Sequence, residues 1–303
     1  MYIDKKIREL FKKIDPIDYN RSKYINNFYK IFSLLKLIYQ FNNNSNKINK
    51  NNDLEEKGFI QLKSQEKILN LILEIYLKIS KTKSFIDSYE NSKKEFLKSY
   101  TINLLDEDNH IFFKFLIENR LLDVVESYLG KYYTLNGAYF LHSKNKSFEL
   151  GRSQELHLDG DALKQLKIFV HLSDVDLNSG PLHVLPKTYS KSLFSSLQKK
   201  GIVKKRSSKI SDNKLDTQVL NEVFPLVGSR GTINIVDTSN CYHFGSRPGQ
   251  SDRLILLFQF MSSFSYRTKF FPNKDLIKNS DYLDEIEIKK VNNIIKFSDF
   301  QFR

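Results

Sequence analysis

A histidine and an aspartate two positions apart, His157 and Asp159 in the stretch SQELHLDGD, have types and spacing that could do chemistry. At i and i+2 of an extended segment both side chains point to one face. An imidazole nitrogen and a carboxylate oxygen could then share one ion. Two protein ligands hold a catalytic metal poorly, so a third should come from elsewhere in the chain. His243, in DTSNCYHFGSR, lies at the end of a strand-like run and is the best candidate. Two histidines and one carboxylate on one face of an octahedron leave three positions open, the arrangement associated with non-haem Fe(II) chemistry. Ten residues after His243 stands Arg253, opening RLILLFQF. An inward arginine is costly unless it meets an anion, and its planar fork suits a carboxylate. A plain alternative stays open: six histidines allow an H-x-D by chance, with His157 hydrogen-bonded at a loop edge and Asp159 helping a turn.

Such residues work only if rigid elements hold them. Apolar positions at helical spacing run through residues 7–38, and the polar tract of residues 42–52 reads as a linker or exposed loop. A short strand is expected over residues 59–62. An amphipathic helix should follow, with Ile68, Leu71, Ile72, Ile75 and Tyr76 on one face. Residues 111–129 read as a helix ending at Gly130. After Gly130 short β-prone runs alternate with turns, at residues 132–141, 166–172, 181–184, 232–236 and 254–261. Helices first and then many short strands argue an α+β chain whose second half is a β-sandwich or barrel. A further helix is expected near residues 283–295.

The bulk properties exclude several classes. At 303 residues the chain can bury a sizeable core. No apolar run is long enough to span a bilayer, and the first residues lack the features of a signal peptide. One cysteine, Cys241, rules out an internal disulfide framework and a thiolate cluster, so a reducing cytoplasmic compartment is expected. The net charge of +13 comes from lysines dispersed among Asn, Ile and Asp rather than from a basic block. That pattern suits a solvated basic surface, and nucleic acid is not an expected partner.

Four motifs in order, ESYLGKYYTLNGAYFLHSK, SQELHLDGD, KIFVHLSDVDLNSGPLHVLPKTYSKS and DTSNCYHFGSR, give the stretch from 56 to 260 a definite likeness. It resembles the phytanoyl-CoA dioxygenase-like family of Fe(II)/2-oxoglutarate oxygenases. The resemblance implies that His157, Asp159 and His243 ligate Fe(II), and that Arg253 binds the distal carboxylate of 2-oxoglutarate. It implies a double-stranded β-helix, jelly-roll or cupin-like, with N-terminal helices packed on it. The organisation expected is a helical extension over 1–52, a dioxygenase domain over 53–265 and a C-terminal extension over 266–303. The implied activity uses 2-oxoglutarate and O2 as cosubstrates, hydroxylates a small-molecule substrate, and releases succinate and CO2. Lys187-Thr188-Tyr189 stands where the family often has Gly-Ser-His, a departure that bears on a loop. In halogenating relatives the carboxylate position is a small residue, so Asp159 favours hydroxylation. A non-catalytic binding or scaffold member of the same fold is the alternative.

Neighbouring residues carry weaker expectations. Lys167, Phe169 and His171 alternate along one strand and share a face. Phe169 could pack against 2-oxoglutarate or simply fill the core. Lys167 could contact an anionic group, although a solvated strand end is the plainer reading, and His171 reads as a satisfied core histidine. Tyr139 and Gln154 could line a substrate pocket, and Ser246 could hydrogen-bond the cosubstrate. His183 and the Gly180-Pro181 turn read as structural, and Cys241 as a buried small hydrophobe. The segment 187–219 should shape substrate choice. Its lysines at 199–209 could favour an anionic substrate, or could simply be a solvated loop.

Overall fold

The computed structural model describes residues 52–91, 96–143, 150–203, 208–262 and 276–296, with positions 265, 273 and 298. The helical pattern of residues 7–38, and nearly all of the polar tract after it, lie outside the described residues. Nine strands appear among them: β1 (Phe59–Lys63), β2 (Leu97–Thr101), β3 (Tyr133–Ser143), β4 (Gln165–His171), β5 (Leu182–Val184), β6 (Phe224–Leu226), β7 (Thr232–Val236), β8 (His243–Phe244) and β9 (Arg253–Ser262). A six-stranded sheet runs β1-β7-β4-β9-β3-β2 and a three-stranded sheet β6-β5-β8, every pairing antiparallel. This is the double-stranded β-helix.

The helices are α1 (Asn52–Lys57), α2 (Glu66–Ile79), α3 (Lys83–Glu90), α4 (Ile111–Glu118), α5 (Leu121–Leu129), α6 (Lys187–Lys199), α7 (Thr217–Asn221) and α8 (Glu285–Ile295). Of these, α6 and α7 pack in a second cluster with Leu156, Leu185, Tyr242 and Phe244, and the others lie against the large sheet. Alternation decides which face they cover. On β4, Leu166, Ile168 and Val170 point into one apolar core. Leu256, Phe258 and Phe260 of β9 and Ile233 and Ile235 of β7 point the same way. Ile72, Phe112, Phe115, Leu122 and Val291 close that core from α2, α4, α5 and α8. A fully buried Leu or Phe contributes roughly 1.5–3 kcal/mol by leaving water, so this layer anchors the fold. The opposite face of the same strands, carrying Lys167, Phe169, His171, Leu257 and Gln259, is left for the space toward the small sheet.

Two expectations need correction, and one strand was missed. Leu71 is 39% exposed while Leu69 is buried, because α2 is apolar on more than one side and packing selects Ile68, Leu69 and Ile72. The helix expected over 111–129 breaks into α4 and α5, with Arg120 at φ 55 in the left-handed region between them. β2, which forms one edge of the large sheet, was not foreseen, whereas β1 at the other edge falls where a short strand was expected. The expected C-terminal helix is α8. It packs into the main core, where Ile294 O accepts a hydrogen bond from Thr134 Oγ1 at 2.6 Å.

Candidate metal centre

His157 and His243 sit opposite each other in an isolated antiparallel bridge, exchanging backbone bonds of 3.0 and 2.9 Å. Directly paired residues present their side chains on one face, and the two rings lie 4.4 Å apart. β8 is itself held by β5, through Val184 opposite His243. Asp159 is fixed from the other side, its N–H donating to Thr238 O at 2.8 Å. Thr238 belongs to a turn organised by the buried Asp237. Asp237 Oδ1 accepts from the backbone of Ser239 and Asn240, and Oδ2 accepts from Tyr128 Oη and Asn240 Nδ2.

The two rings are oriented in the same way. His157 Nδ1 lies 2.8 Å from Glu155 O, and His243 Nδ1 lies 3.0 Å from Cys241 O. A carbonyl can only accept, so Nδ1 carries the proton and each Nε2 is left with its lone pair. His157 Nε2 is 3.9 Å from Asp159 Oδ1, and His243 Nε2 is 3.8 Å from Asp159 Oδ2. One ligand atom from each of the three residues falls within 4.8 Å of the others. Burial lowers the His157 pKa, and burial together with His157 pushes His243 down to about 3. Both rings are therefore neutral near neutral pH, as metal ligation requires. Burial alone would raise Asp159, but the Lys167 ammonium and the two imidazoles outweigh it and hold the carboxyl below its usual range. Two borderline nitrogens and a hard oxygen fit a divalent iron-type ion. Cys241, buried and directed to Lys57 O, contributes no sulfur.

Arg253 opens β9 and is only 8% exposed. Its Nη2 donates to Ser246 Oγ at 2.9 Å, while its buried Nε has no hydrogen-bond partner among the described residues. Burial brings its pKa to about 10, so the guanidinium stays charged at neutral pH. No carboxylate among the described residues pairs with it. Close approach is built in, for a Cβ on Gly245 would come within 3.2 Å of Arg253 Nη2. Ser246 adopts φ 56, and Gln154 Nε2 holds its carbonyl at 2.6 Å. Gln154 is thus fully buried and supports the Ser246 turn.

Lys167 departs from the solvated strand end expected of it. Its Nζ lies 2.7 Å from Asp159 Oδ2, and its side chain is 17% exposed. Burial opposes its charge, but Asp159 and Asp161 more than offset that and raise its pKa. Phe169 is half-buried against Leu182, Val184, Leu226, Val236 and Cys241. Tyr139 lies on the inner face of β3 with its ring over Gly137, where any Cβ would collide with it. His171 is the satisfied core histidine expected. Asn234 Nδ2 donates to Nε2 at 2.9 Å, Nδ1 faces Gly228 O at 3.3 Å, and burial lowers its pKa to about 4. His183 stacks on Phe244 with ring centres 4.6 Å apart.

Gln165 and Thr238 were missed as site residues. Gln165 Nε2 donates to Asp159 Oδ2 at 3.1 Å and to Thr238 Oγ1 at 2.8 Å. The signal for Gln165 was present, since it continues the alternation of Lys167, Phe169 and His171. Thr238 acts through its backbone carbonyl on Asp159 and its hydroxyl on Gln165, and turn composition gives no hint of either.

The fold and donor set define a double-stranded β-helix protein with a candidate mononuclear metal centre. Comparison with solved structures points to the same architecture. The epimerase SnoN, in complex with Fe3+, alpha ketoglutarate and nogalamycin RO, superposes with TM-score 0.50 and 12% identity, over 77% of this chain and 94% of that one. EctD from S. alaskensis, with 2-oxoglutarate and 5-hydroxyectoine, gives TM-score 0.49 and 13% identity, over 69% and 73% of the two chains. HygX from Streptomyces hygroscopicus, with nickel and 2-oxoglutarate bound, gives 0.48 and 13%, over 70% and 85%. No protein-family model and no curated protein sequence matches the chain. At these identities the likeness to SnoN bears on the fold alone. No helix among the described residues is long and apolar enough to cross a membrane.

Proposed function

We propose that the chain is an Fe(II)- and 2-oxoglutarate-dependent dioxygenase that hydroxylates a small-molecule substrate, of the phytanoyl-CoA dioxygenase-like kind. The observation that carries this reading is a pair of features, one beside the small sheet and one on the inner face of the large sheet. Neutral Nε2 atoms of His157 and His243 meet the Asp159 carboxylate, and a buried, charged Arg253 lacks an anion. An uncompensated buried guanidinium is costly to keep, so its presence argues for a bound carboxylate as its partner. His157, Asp159 and His243 would hold the iron, and Arg253 with Ser246 would hold the far carboxylate of 2-oxoglutarate. When bound, the iron and its cosubstrates supply the oxidation of an unactivated C–H bond, with succinate and CO2 as co-products. Phe169, beside the cosubstrate, would exclude water, and the two Nδ1 bonds keep both imidazoles aimed at the ion.

SnoN is described as an epimerase. Asp159 favours hydroxylation over halogenation, and the choice between hydroxylation and epimerisation is left to experiment. The test uses anaerobically purified protein given Fe(II), 2-oxoglutarate and O2. Succinate should appear, and it should fall at least a hundredfold in His157→Ala. Succinate formation unchanged by that substitution, or absent from the wild-type protein across a substrate screen, overturns the reading. Isotopically labelled O2 distinguishes hydroxylation, which leaves label in the product, from epimerisation, which does not.

A further inference from the structure

Each candidate ligand has one atom claimed by the protein and another left facing its neighbours. His157 and His243 commit Nδ1 to the carbonyls of Glu155 and Cys241. Asp159 commits Oδ2 instead, to Lys167 Nζ at 2.7 Å and Gln165 Nε2 at 3.1 Å. A carboxylate oxygen has two in-plane lone pairs, so two donors use up its ordinary bonding directions. Oδ1 lies 3.9 Å from His157 Nε2 and receives no hydrogen bond among the described residues, whereas Oδ2, at 3.8 Å from His243 Nε2, carries both donors.

Both donors are themselves fixed. Lys167 and Gln165 stand on the inner face of β4, in register with Gln259 and Met261 of β9. Gln259 Nε2 reaches Gln165 Oε1 at 3.2 Å and Asp161 Oδ2 at 3.1 Å, while Gln165 also donates to Thr238 Oγ1 at 2.8 Å. The Gln165 amide therefore cannot turn without breaking bonds at both ends. Lys167 lies beside the Asp159 carboxylate with its side chain 17% exposed.

We infer that Lys167 is a positioning residue that holds Oδ2 and leaves Asp159 only Oδ1 to give a metal. This rests on the metal-centre reading above and adds a consequence to it. A carboxylate binding through both oxygens would fill a fourth coordination position, leaving two. A carboxylate limited to one oxygen preserves three, enough for a chelating cosubstrate and one more small ligand. Lys167 would act by keeping that third position open, without touching the reacting groups. Outer partners of this kind orient metal ligands, and their loss changes the metal site even when the ligands remain.

The experiment is the structure and metal uptake of the full chain loaded with Mn(II), for wild type, Lys167→Met and Lys167→Arg. Wild type should ligate Mn(II) through Oδ1, with Oδ2 still within hydrogen-bond distance of Lys167 Nζ. Lys167→Met should bring both Asp159 oxygens onto the ion and remove one bound water, and Lys167→Arg should restore ligation by one oxygen. If Lys167→Met does not fold, the wild-type complex still decides. Mn(II) held by Oδ2 or by both oxygens, or Lys167 swung away onto a bound anion, overturns the proposal. So does single-oxygen ligation retained in Lys167→Met. Wild-type protein that takes up no Mn(II) removes the metal-centre reading itself and this inference with it. Uptake without the Lys167 effect removes only the latter.

Discussion

At the residue scale, Arg253 shows function opposing stability. Its guanidinium is buried, carries one hydrogen bond to Ser246 and keeps an unpartnered Nε. A buried polar atom without a partner costs about 1–3 kcal/mol, and more when charged. Arg253→Met should therefore stabilise the ligand-free protein by about 1 kcal/mol, seen as a higher thermal midpoint. The same substitution should weaken 2-oxoglutarate binding on the order of a hundredfold, from the loss of charge-assisted bonds. Metal uptake should be unchanged, because no ligand atom is touched. A titration of cosubstrate into the Co(II)-loaded protein, beside a melt of the ligand-free one, checks both halves. Lower stability with unaltered affinity would show that Arg253 serves only the fold.

At the element scale, the turn after β7 transmits packing to the site. Asp237 gathers two backbone N–H groups, Asn240 Nδ2 and Tyr128 Oη, and thereby sets Thr238 O against Asp159 N. Burial raises the Asp237 pKa, with Tyr128 and Asn240 partly countering it. Asp237→Asn exchanges an accepting oxygen for a donor facing Asn240 Nδ2, so it should cost about 2 kcal/mol in urea unfolding and loosen metal binding. Tyr128→Phe should cost about 1 kcal/mol by the same assay. None of this was legible in the sequence, where DTS after a strand is ordinary turn composition. The strands that frame the site were legible, because alternation and apolar runs mark β4, β7 and β9 directly, whereas His243 lies on the two-residue β8 and His157 and Asp159 lie outside the named strands. The edges were harder: β2 and β6 are short and polar or proline-bearing, and their burial comes from partners far along the chain. The break at Arg120 was invisible for a similar reason, since apolar spacing continues across it and only packing shows that two helices are needed. Lys167 was legible as an inward residue but not as a partner of Asp159, because register with Gln259 and Val236 sets its depth.

At the scale of the whole molecule, the histidines make the fold sensitive to acid. Five of the six, His110, His157, His171, His183 and His243, have pKa values lowered first of all by burial. His171 lies outside the candidate metal centre, and its value of about 4 allows the effect to be worked through. Its neutral ring accepts from Asn234 and faces Gly228 O, so a second ring proton would meet the donor Asn234 Nδ2 rather than an acceptor. An unfolded histidine takes up its proton near pH 6.5, whereas the folded one resists until about pH 4. The unfolded state thus binds more protons between those values. This contribution to stability is complete above pH 6.5 and is lost as pH falls toward 4. Near pH 5.5 the difference is close to one proton, or about 1.2 kcal/mol of stability per pH unit from His171 alone. Urea midpoints of the metal-free protein should therefore fall steadily from pH 7 to pH 5. His171→Gln, whose amide can meet the same two partners without titrating, should show a shallower slope by about that amount. Equal slopes in the two proteins would mean that His171 is protonated in the fold at mild pH and that its surroundings accommodate the charge.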